Sequence, residues 1–143
     1  MRERSIQLAT GETTRVREDG PDGAPAVVLV HALANSVEIW ERVFPRLSHN
    51  FRVIAFDLPG FGQASRPLAK YDGAFFAEQL KALLDALDLE RPILIGNSLG
   101  ASVVVRFAAT APDRIARAVL AAPGGFGRKT NLLMRLPALA LHL

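Results

Sequence analysis

Five residues, Gly96-Asn97-Ser98-Leu99-Gly100, separate an apolar run of strand length from an apolar stretch of helical length. They have the pattern G-x-S-x-G, in which a buried strand turns into a helix within about two residues. Such a turn strains the backbone of the serine and exposes its hydroxyl. It also brings the residues two before and two after so close together that only glycine, or something nearly as small, fits. The motif predicts that Ser98 is a nucleophile; the alternative is a serine that only caps the helix.

Apolar runs of strand length recur along the chain and alternate with stretches of helical periodicity. Continuous runs are typical of strands buried on both faces, and two shorter alternating segments before them predict a hairpin. The predicted elements are the hairpin strands 5–9 and 14–17, the buried strands 26–30, 51–56, 92–95 and 116–121, and the helices 37–47 (shortened or bent by Pro45), 74–87 and 101–109 (buried nearly all round).

This alternation predicts an α/β fold with a mainly parallel sheet flanked by helices. In such sheets, ligands bind beyond the carboxyl ends of the strands. We therefore expect functional residues in the four segments that follow the buried strands: 31–36, 57–62, 96–100 and 122–125.

The composition is globular and excludes several classes of function. Half of the 143 residues are hydrophobic, and 17 Lys and Arg against 14 Asp and Glu leave a net charge of +3. With no block of like charges, nothing predicts a nucleic-acid partner. The absence of cysteine excludes disulfides, thiolate metal sites and a cysteine nucleophile. No metal cluster is visible, no cofactor is implied, and nothing indicates an oligomeric state. Segment 31–35 lacks glycine, which argues against a nucleotide-binding Rossmann-type domain.

Neither a membrane span nor a secretion signal is visible in the sequence. No stretch approaches the roughly 20 apolar residues needed to cross a bilayer. The N-terminal Met1-Arg2-Glu3-Arg4 leads into mixed polar sequence without an apolar signal core. We therefore expect a cytoplasmic protein.

A serine nucleophile also needs hydrogen-bond donors for the oxyanion that its attack creates. The backbone N–H of Leu99, directly after the serine, is one candidate. The second donor should come from the segment after strand 26–30, and the N–H of Leu33 is the candidate there.

Three motifs, VVLVHALANS, AFDLPGFGQAS and ILIGNSLGA, resemble the N-terminal part of α/β-hydrolase fold proteins in order and spacing. The resemblance covers about residues 6–126 and implies that Ser98 is the nucleophile, with Leu33 and Leu99 as oxyanion-hole donors. A serine here argues against the dehalogenase and epoxide-hydrolase branches, which use aspartate. Ala32 stands where the family usually has glycine. The resemblance also implies that Asp57 belongs to a structural turn.

None of the three histidines is well placed to be the base of a Ser-His-Asp triad. The resemblance implies that His31 braces the oxyanion loop, whereas His49 lies in a polar loop and His142 is the penultimate residue. The segment after strand 116–121 has no carboxylate, which excludes the branch with an early acid. Acid and base are therefore expected beyond Leu143. Since the fold needs on the order of 250 residues, we expect it to be incomplete at the C-terminus.

The sequence thus predicts the N-terminal part of a serine hydrolase, with residues 1–125 in the core and 126–143 at the start of a cap. The expected substrate is a small apolar carbonyl compound: an ester, a lactone or an activated ketone. Carboxylesterases and carbon–carbon bond hydrolases both fit, and we expect this chain alone to be inactive. The alternative is a catalytically inactive or truncated relative that binds a ligand or partner. For the leucine-rich segment 131–143, a membrane-surface helix is the alternative.

Overall fold

A six-stranded sheet organises the part of the chain that the computed structural model describes, residues 1–124. The strand order is β1-β2-β4-β3-β5-β6; β1 with β2 and β2 with β4 pair antiparallel, and the other pairs are parallel. This confirms the predicted α/β fold with a mainly parallel sheet. The strands are β1 Arg2–Gln7, β2 Thr13–Asp19, β3 Ala26–Val30, β4 Arg52–Phe56, β5 Ile93–Asn97 and β6 Arg117–Ala121.

Within residues 1–124, three α-helices and two 3₁₀ turns connect these strands. The second helix agrees with the prediction to within one residue. Asp72 caps its start: the Asp72 carboxylate accepts the N–H groups of Ala74 and Phe75 at 3.0 Å each. The third, predicted over residues 101–109, begins two residues earlier, directly after Ser98, and ends at Thr110. The helices are α1 Phe44–Leu47, α2 Gly73–Ala86 and α3 Leu99–Thr110, and the 3₁₀ turns are Val37–Trp40 and Pro112–Arg114.

The prediction of one helix over residues 37–47 was wrong. The segment forms the 3₁₀ turn and then, after residues 41–43, the short α1. Pro45 lies in the first turn of α1. A proline is well tolerated there because the first N–H groups of a helix have no partner within it. Pro45 therefore lies at the start of a second helix and does not bend a continuous one.

The core occupies both faces of the sheet. On one face α2 and α3 cover β3, β4 and β5, where Val28, Ile54 and Leu94 are fully buried. On the opposite face, the turn Val37–Trp40 and α1 bury Trp40 and Phe44 against β3 and β4. Burial on both faces explains why the central strands are continuous apolar runs.

Two stretches predicted as buried are partly exposed. All five residues of β6 are exposed, including Val119 at 50% and Leu120 at 40%. β6 is the last strand in the sheet order and pairs only with β5 in the described part of the chain. In α3 the side that carries Arg106 faces solvent.

The predicted hairpin is confirmed, although its first strand begins earlier than the sequence pattern indicates. β1 starts at Arg2 and pairs with β2 along its whole length. Ion pairs join these charged residues to β2: Arg4 contacts Glu18 at 3.4 Å, and Nε of Arg17 donates to Glu3 at 2.5 Å. The first residues of β1 are charged and are joined to β2 by ion pairs. The alternation of apolar residues used for the prediction therefore does not reveal where β1 starts.

The segment predicted to begin a cap, 126–143, lies outside the described residues. The division of the chain at residue 125 therefore stays a prediction, as does the membrane-surface alternative for 131–143. Over residues 1–124, every helix is too short or too polar to cross a lipid bilayer.

Candidate active site

Ser98 lies in the turn between β5 and α3, with its backbone in the left-handed region. Its φ is 51° and its ψ −109°, a conformation that costs a non-glycine residue about 1–3 kcal/mol. The residue is half-buried. Its side chain accepts no hydrogen bond from the first turn of α3, so Ser98 does not cap the helix through its hydroxyl. The predicted strained turn is confirmed.

The two glycines of the motif are required by close backbone approach. A Cβ on Gly96 would overlap the carbonyl group of Gly100, and a Cβ on Gly100 would overlap the carbonyl groups of Val30 and His31. Gly100 therefore allows the start of α3 to pack directly on the end of β3. As a result, the segment after β3 begins beside the turn between β5 and α3 that carries Ser98, here called the serine turn.

That segment carries the proposed donor Leu33, whose side chain is 44% exposed. Ala34 follows with a φ of 54°, and the side-chain oxygen of Asn35 accepts the N–H of Ser36 at 3.0 Å. Within residues 1–124, neither the N–H of Leu33 nor that of Leu99 donates to an acceptor. Both groups are therefore available to an oxygen atom of a ligand.

His31 is fully buried and uses both of its ring nitrogens. Nε2 accepts the N–H of Leu58 at 2.8 Å, and Nδ1 lies 2.7 Å from the carbonyl oxygen of Ala32. Since Nε2 is an acceptor, the proton is on Nδ1 and the ring is neutral. Burial lowers the pKa of His31 below its ordinary value of 6.5. His31 braces the turns after β3 and β4, as the resemblance implied.

The carboxylate of Asp57 is also fully buried and fully paired. It accepts the N–H of Val37 at 2.9 Å, the N–H of Gln63 at 2.8 Å and Nε of Arg15 at 2.8 Å. A Cβ on Gly62 would overlap this carboxylate, so the glycine lets the turn wrap around it. These contacts confirm that Asp57 stabilises a turn.

Arg15 and Glu38 extend this network, and the sequence analysis missed both. Nη2 of Arg15 donates to Glu38 at 2.8 Å, and the hydroxyl of Ser36 donates to the same carboxylate. Burial raises the pKa of Glu38, but the hydrogen bonds from Ser36 and Arg15 outweigh it and lower this pKa from 4.5 to about 2. Burial likewise lowers the pKa of Arg15, but its bonds to Asp57 and Glu38 raise it overall. A single arginine in a strand gives no sequence signal of these distant partners.

Of the other two histidines, only His49 lies in the described part of the chain, and it does not approach Ser98. His49 is exposed and precedes β4, so it lies at the amino-terminal edge of the parallel strands, opposite the edge that carries Ser98. His142 lies outside the described residues. Residues 1–124 contain no group of three or more His, Cys, Asp or Glu side chains that could hold a metal ion.

Two cavities of about 260 and 380 Å³ lie away from the serine turn. The first is beside the end of α2 and Arg114, and the second is between Arg17 and Phe44. Neither is lined by Ser98, Leu99 or Leu33. The candidate site is therefore defined by the backbone geometry around Ser98.

The sheet order, the strained serine turn and its two close-packed glycines together define the α/β-hydrolase class. Comparison with known families agrees: the model of the alpha/beta hydrolase fold family matches residues 25–139, and the chain belongs to this family.

Relatives of this chain have several different activities. It is 41% identical over 117 residues to the 2-hydroxy-6-oxo-2,4-heptadienoate hydrolase of Pseudomonas putida, covering 79% of this chain and 42% of that protein. It is 37% identical over 119 residues to the non-heme chloroperoxidase of Streptomyces lividans, covering 81% and 43%. The structure of carboxylesterase CesB from Bacillus subtilis is similar with a TM-score of 0.78 and 33% identity, covering 86% and 44%. The chain spans less than half the length of each.

Proposed function

We propose that Ser98 is the nucleophile of a serine hydrolase that acts on a small apolar ester, lactone or activated ketone. The observation that carries this proposal is the strained backbone of Ser98, with a φ of 51°, held by close-packed glycines. Among residues 1–124, the next N–H, that of Leu99, has no acceptor. Strain of this kind at a polar residue is typical of functional sites. Family membership and the hydrolases among the relatives support the reaction class.

In the proposed reaction, the Ser98 hydroxyl oxygen attacks the substrate carbonyl carbon while a base takes its proton. The negative charge on the carbonyl oxygen is stabilised by the N–H groups of Leu33 and Leu99, and by the amino-terminal end of α3. The leaving group takes a proton and departs. Water then releases the acyl group from Ser98.

The base and its orienting acid are the parts that residues 1–124 do not supply. His31 uses both nitrogens to brace turns, and His49 lies at the other edge of the sheet. We propose that a histidine and an acid act from the part of the fold that the relatives have and this chain does not span. This chain alone would then give little turnover. The cytoplasmic location also stays a prediction.

A second candidate function is binding without catalysis. It is favoured by the same engagement of His31, because Ser98 would then lack a base. The N–H groups of Leu33 and Leu99, which have no acceptor among residues 1–124, could still bind a carbonyl or carboxylate oxygen. The two candidates differ in whether Ser98 becomes acylated when a base is provided.

Chemical rescue with imidazole distinguishes catalysis by Ser98 from binding without catalysis. The chain is incubated with p-nitrophenyl acetate and a high concentration of imidazole, which supplies a base, and acetylated residues are located by mass spectrometry. We expect acetylation of Ser98 that depends on imidazole and disappears in Ser98→Ala. Ser5→Ala, at an exposed serine in β1, is the matched control and should react like the native chain. Failure of Ser98 to react in the presence of imidazole would favour binding without catalysis.

A further inference from the structure

The end of β6 and the turn that follows it hold the backbone of Ser98 on both sides. The Ser98 N–H donates to the carbonyl of Ala121 at 2.9 Å, and the Ser98 carbonyl accepts the N–H of Gly124 at 3.3 Å. To reach this position the turn uses a second left-handed residue, Ala122, with a φ of 44°. The ends of two neighbouring strands are thus joined through strained backbone.

Ser102, in the first turn of α3, fastens this turn to the helix. Its hydroxyl donates to the carbonyl of Gly124 at 2.5 Å and also lies 3.4 Å from the Ser98 carbonyl oxygen. Its backbone N–H donates to the Ser98 carbonyl at 3.2 Å. Gly124 is therefore held at both polar groups of its backbone: its carbonyl by the Ser102 side chain, and its N–H by Ser98. Ser102 is half-buried and has no other role in the site described above.

The Ser98 carbonyl and the Leu99 N–H belong to the same peptide unit. In a trans peptide the C=O and the N–H point in opposite directions from a rigid plane. Two backbone donors, the N–H groups of Ser102 and Gly124, converge on the Ser98 carbonyl. They consequently fix the direction of the Leu99 N–H at the other end of the plane.

We propose that Ser102 is a positioning residue for this peptide. Its hydroxyl holds Gly124 in place, and Gly124 together with the Ser102 N–H orients the Ser98–Leu99 peptide. The consequence for catalysis, which rests on the proposed function, is that the Leu99 N–H is held in place before the oxyanion forms. A donor that needs no reorientation during the reaction stabilises developing charge best.

Amide hydrogen exchange measured by NMR on the whole chain tests the positioning without requiring any activity. In Ser102→Ala, exchange of the Gly124 and Ser98 amides should accelerate about five- to tenfold, the factor expected for one net hydrogen bond. Ser102→Thr keeps the hydroxyl and should restore slow exchange. Thr110→Val is the matched control, because it removes a hydroxyl that donates to the carbonyl of Phe107 at the far end of α3. An unchanged Gly124 amide, or an equal acceleration throughout the sheet, would overturn the proposal.

The imidazole-dependent acetylation of Ser98 provides the second readout. Ser102→Ala should lower the maximal acetylation rate and leave the half-saturating ester concentration unchanged, whereas Ser102→Thr and Thr110→Val should react like the native chain. If the native chain is never acetylated but its Gly124 amide responds as expected, the proposed function fails and the positioning of the peptide stands. If the amide responds and acetylation of Ser102→Ala is unchanged, the catalytic consequence is wrong.

Discussion

Nε of Arg15 donates to Oδ2 of Asp57 over 2.8 Å, and only 7% and 0% of the two side chains are exposed. This ion pair joins β2 to the turn after β4. Because Asp57 also accepts the N–H of Val37, the pair fixes the end of the segment that carries Leu33. Arg15, far from Ser98 in the sequence, thereby supports the segment after β3, which forms one side of the candidate site.

Removing the carboxylate of Asp57 should therefore lower the free energy of unfolding. Asp57→Ala leaves Arg15 buried without this partner and two backbone N–H groups without an acceptor, so we expect a loss of about 3–5 kcal/mol in the free energy of unfolding. Urea unfolding followed by the fluorescence of the single tryptophan, Trp40, measures it. Asp22→Ala is the control, since its carboxylate is 92% exposed and should contribute nothing measurable. A loss under about 1 kcal/mol, the size of an average substitution, would contradict the structural role of the pair.

The close approach at Gly100 predicts a large effect of a single methyl group. Gly100→Ala would push a Cβ into the carbonyls of Val30 and His31, and we expect a destabilisation of about 3 kcal/mol or more. Gly73→Ala provides the comparison, because the nearest atom to its Cβ would be Cδ of Arg106 at 3.9 Å. That variant should unfold at the same urea concentration as the native chain or a higher one. Equal stability of the two variants would show that α3 does not pack on β3 in this way.

Glu38 gives a prediction for acid stability. Its pKa in the folded chain is about 2, against an ordinary value of 4.5. A depressed pKa means that the carboxylate stabilises the fold above pH 4.5 and that this stabilisation is lost as the pH falls towards 2. The free energies of unfolding of the native chain and Glu38→Gln should differ by a constant amount at neutral pH and converge between pH 4.5 and 2. A difference independent of pH over that window would refute the ion pair with Arg15.

His31 should resist protonation. Because burial lowers its pKa below 6.5, the folded chain binds this proton less readily than the unfolded chain. The histidine therefore contributes stability above pH 6.5 that is lost as the pH falls from 6.5 towards the folded pKa. ¹⁵N NMR of the imidazole should show a neutral ring with the proton on Nδ1 at pH 6.5. A ring half-protonated at or above that pH would contradict the bond from Leu58.

Two features that depend only on neighbouring residues, β3 and the serine turn, were predicted from the sequence. β3 was predicted at residues 26–30 with its observed bounds, and the serine turn was predicted because its glycines and flanking apolar runs lie side by side in the chain. The pairing of Arg15 with Asp57 joins residues 42 positions apart, and no local pattern marks it. The exposure of β6 depends on which elements cover the two faces of the sheet there, which its composition does not determine. The contact of Ser102 with Gly124 likewise exists only once α3 and the turn after β6 are placed together.

The nucleophilic role of Ser98 is tested most directly by the distribution of a fluorophosphonate label over the six serines of the chain. The chain is treated with the probe with and without imidazole, and each modified serine is located by tandem mass spectrometry. We expect the label on Ser98 alone, accumulating only when imidazole is present. Label spread over exposed serines such as Ser5 at equal rates, or none on Ser98, would contradict the assignment of Ser98 as the nucleophile.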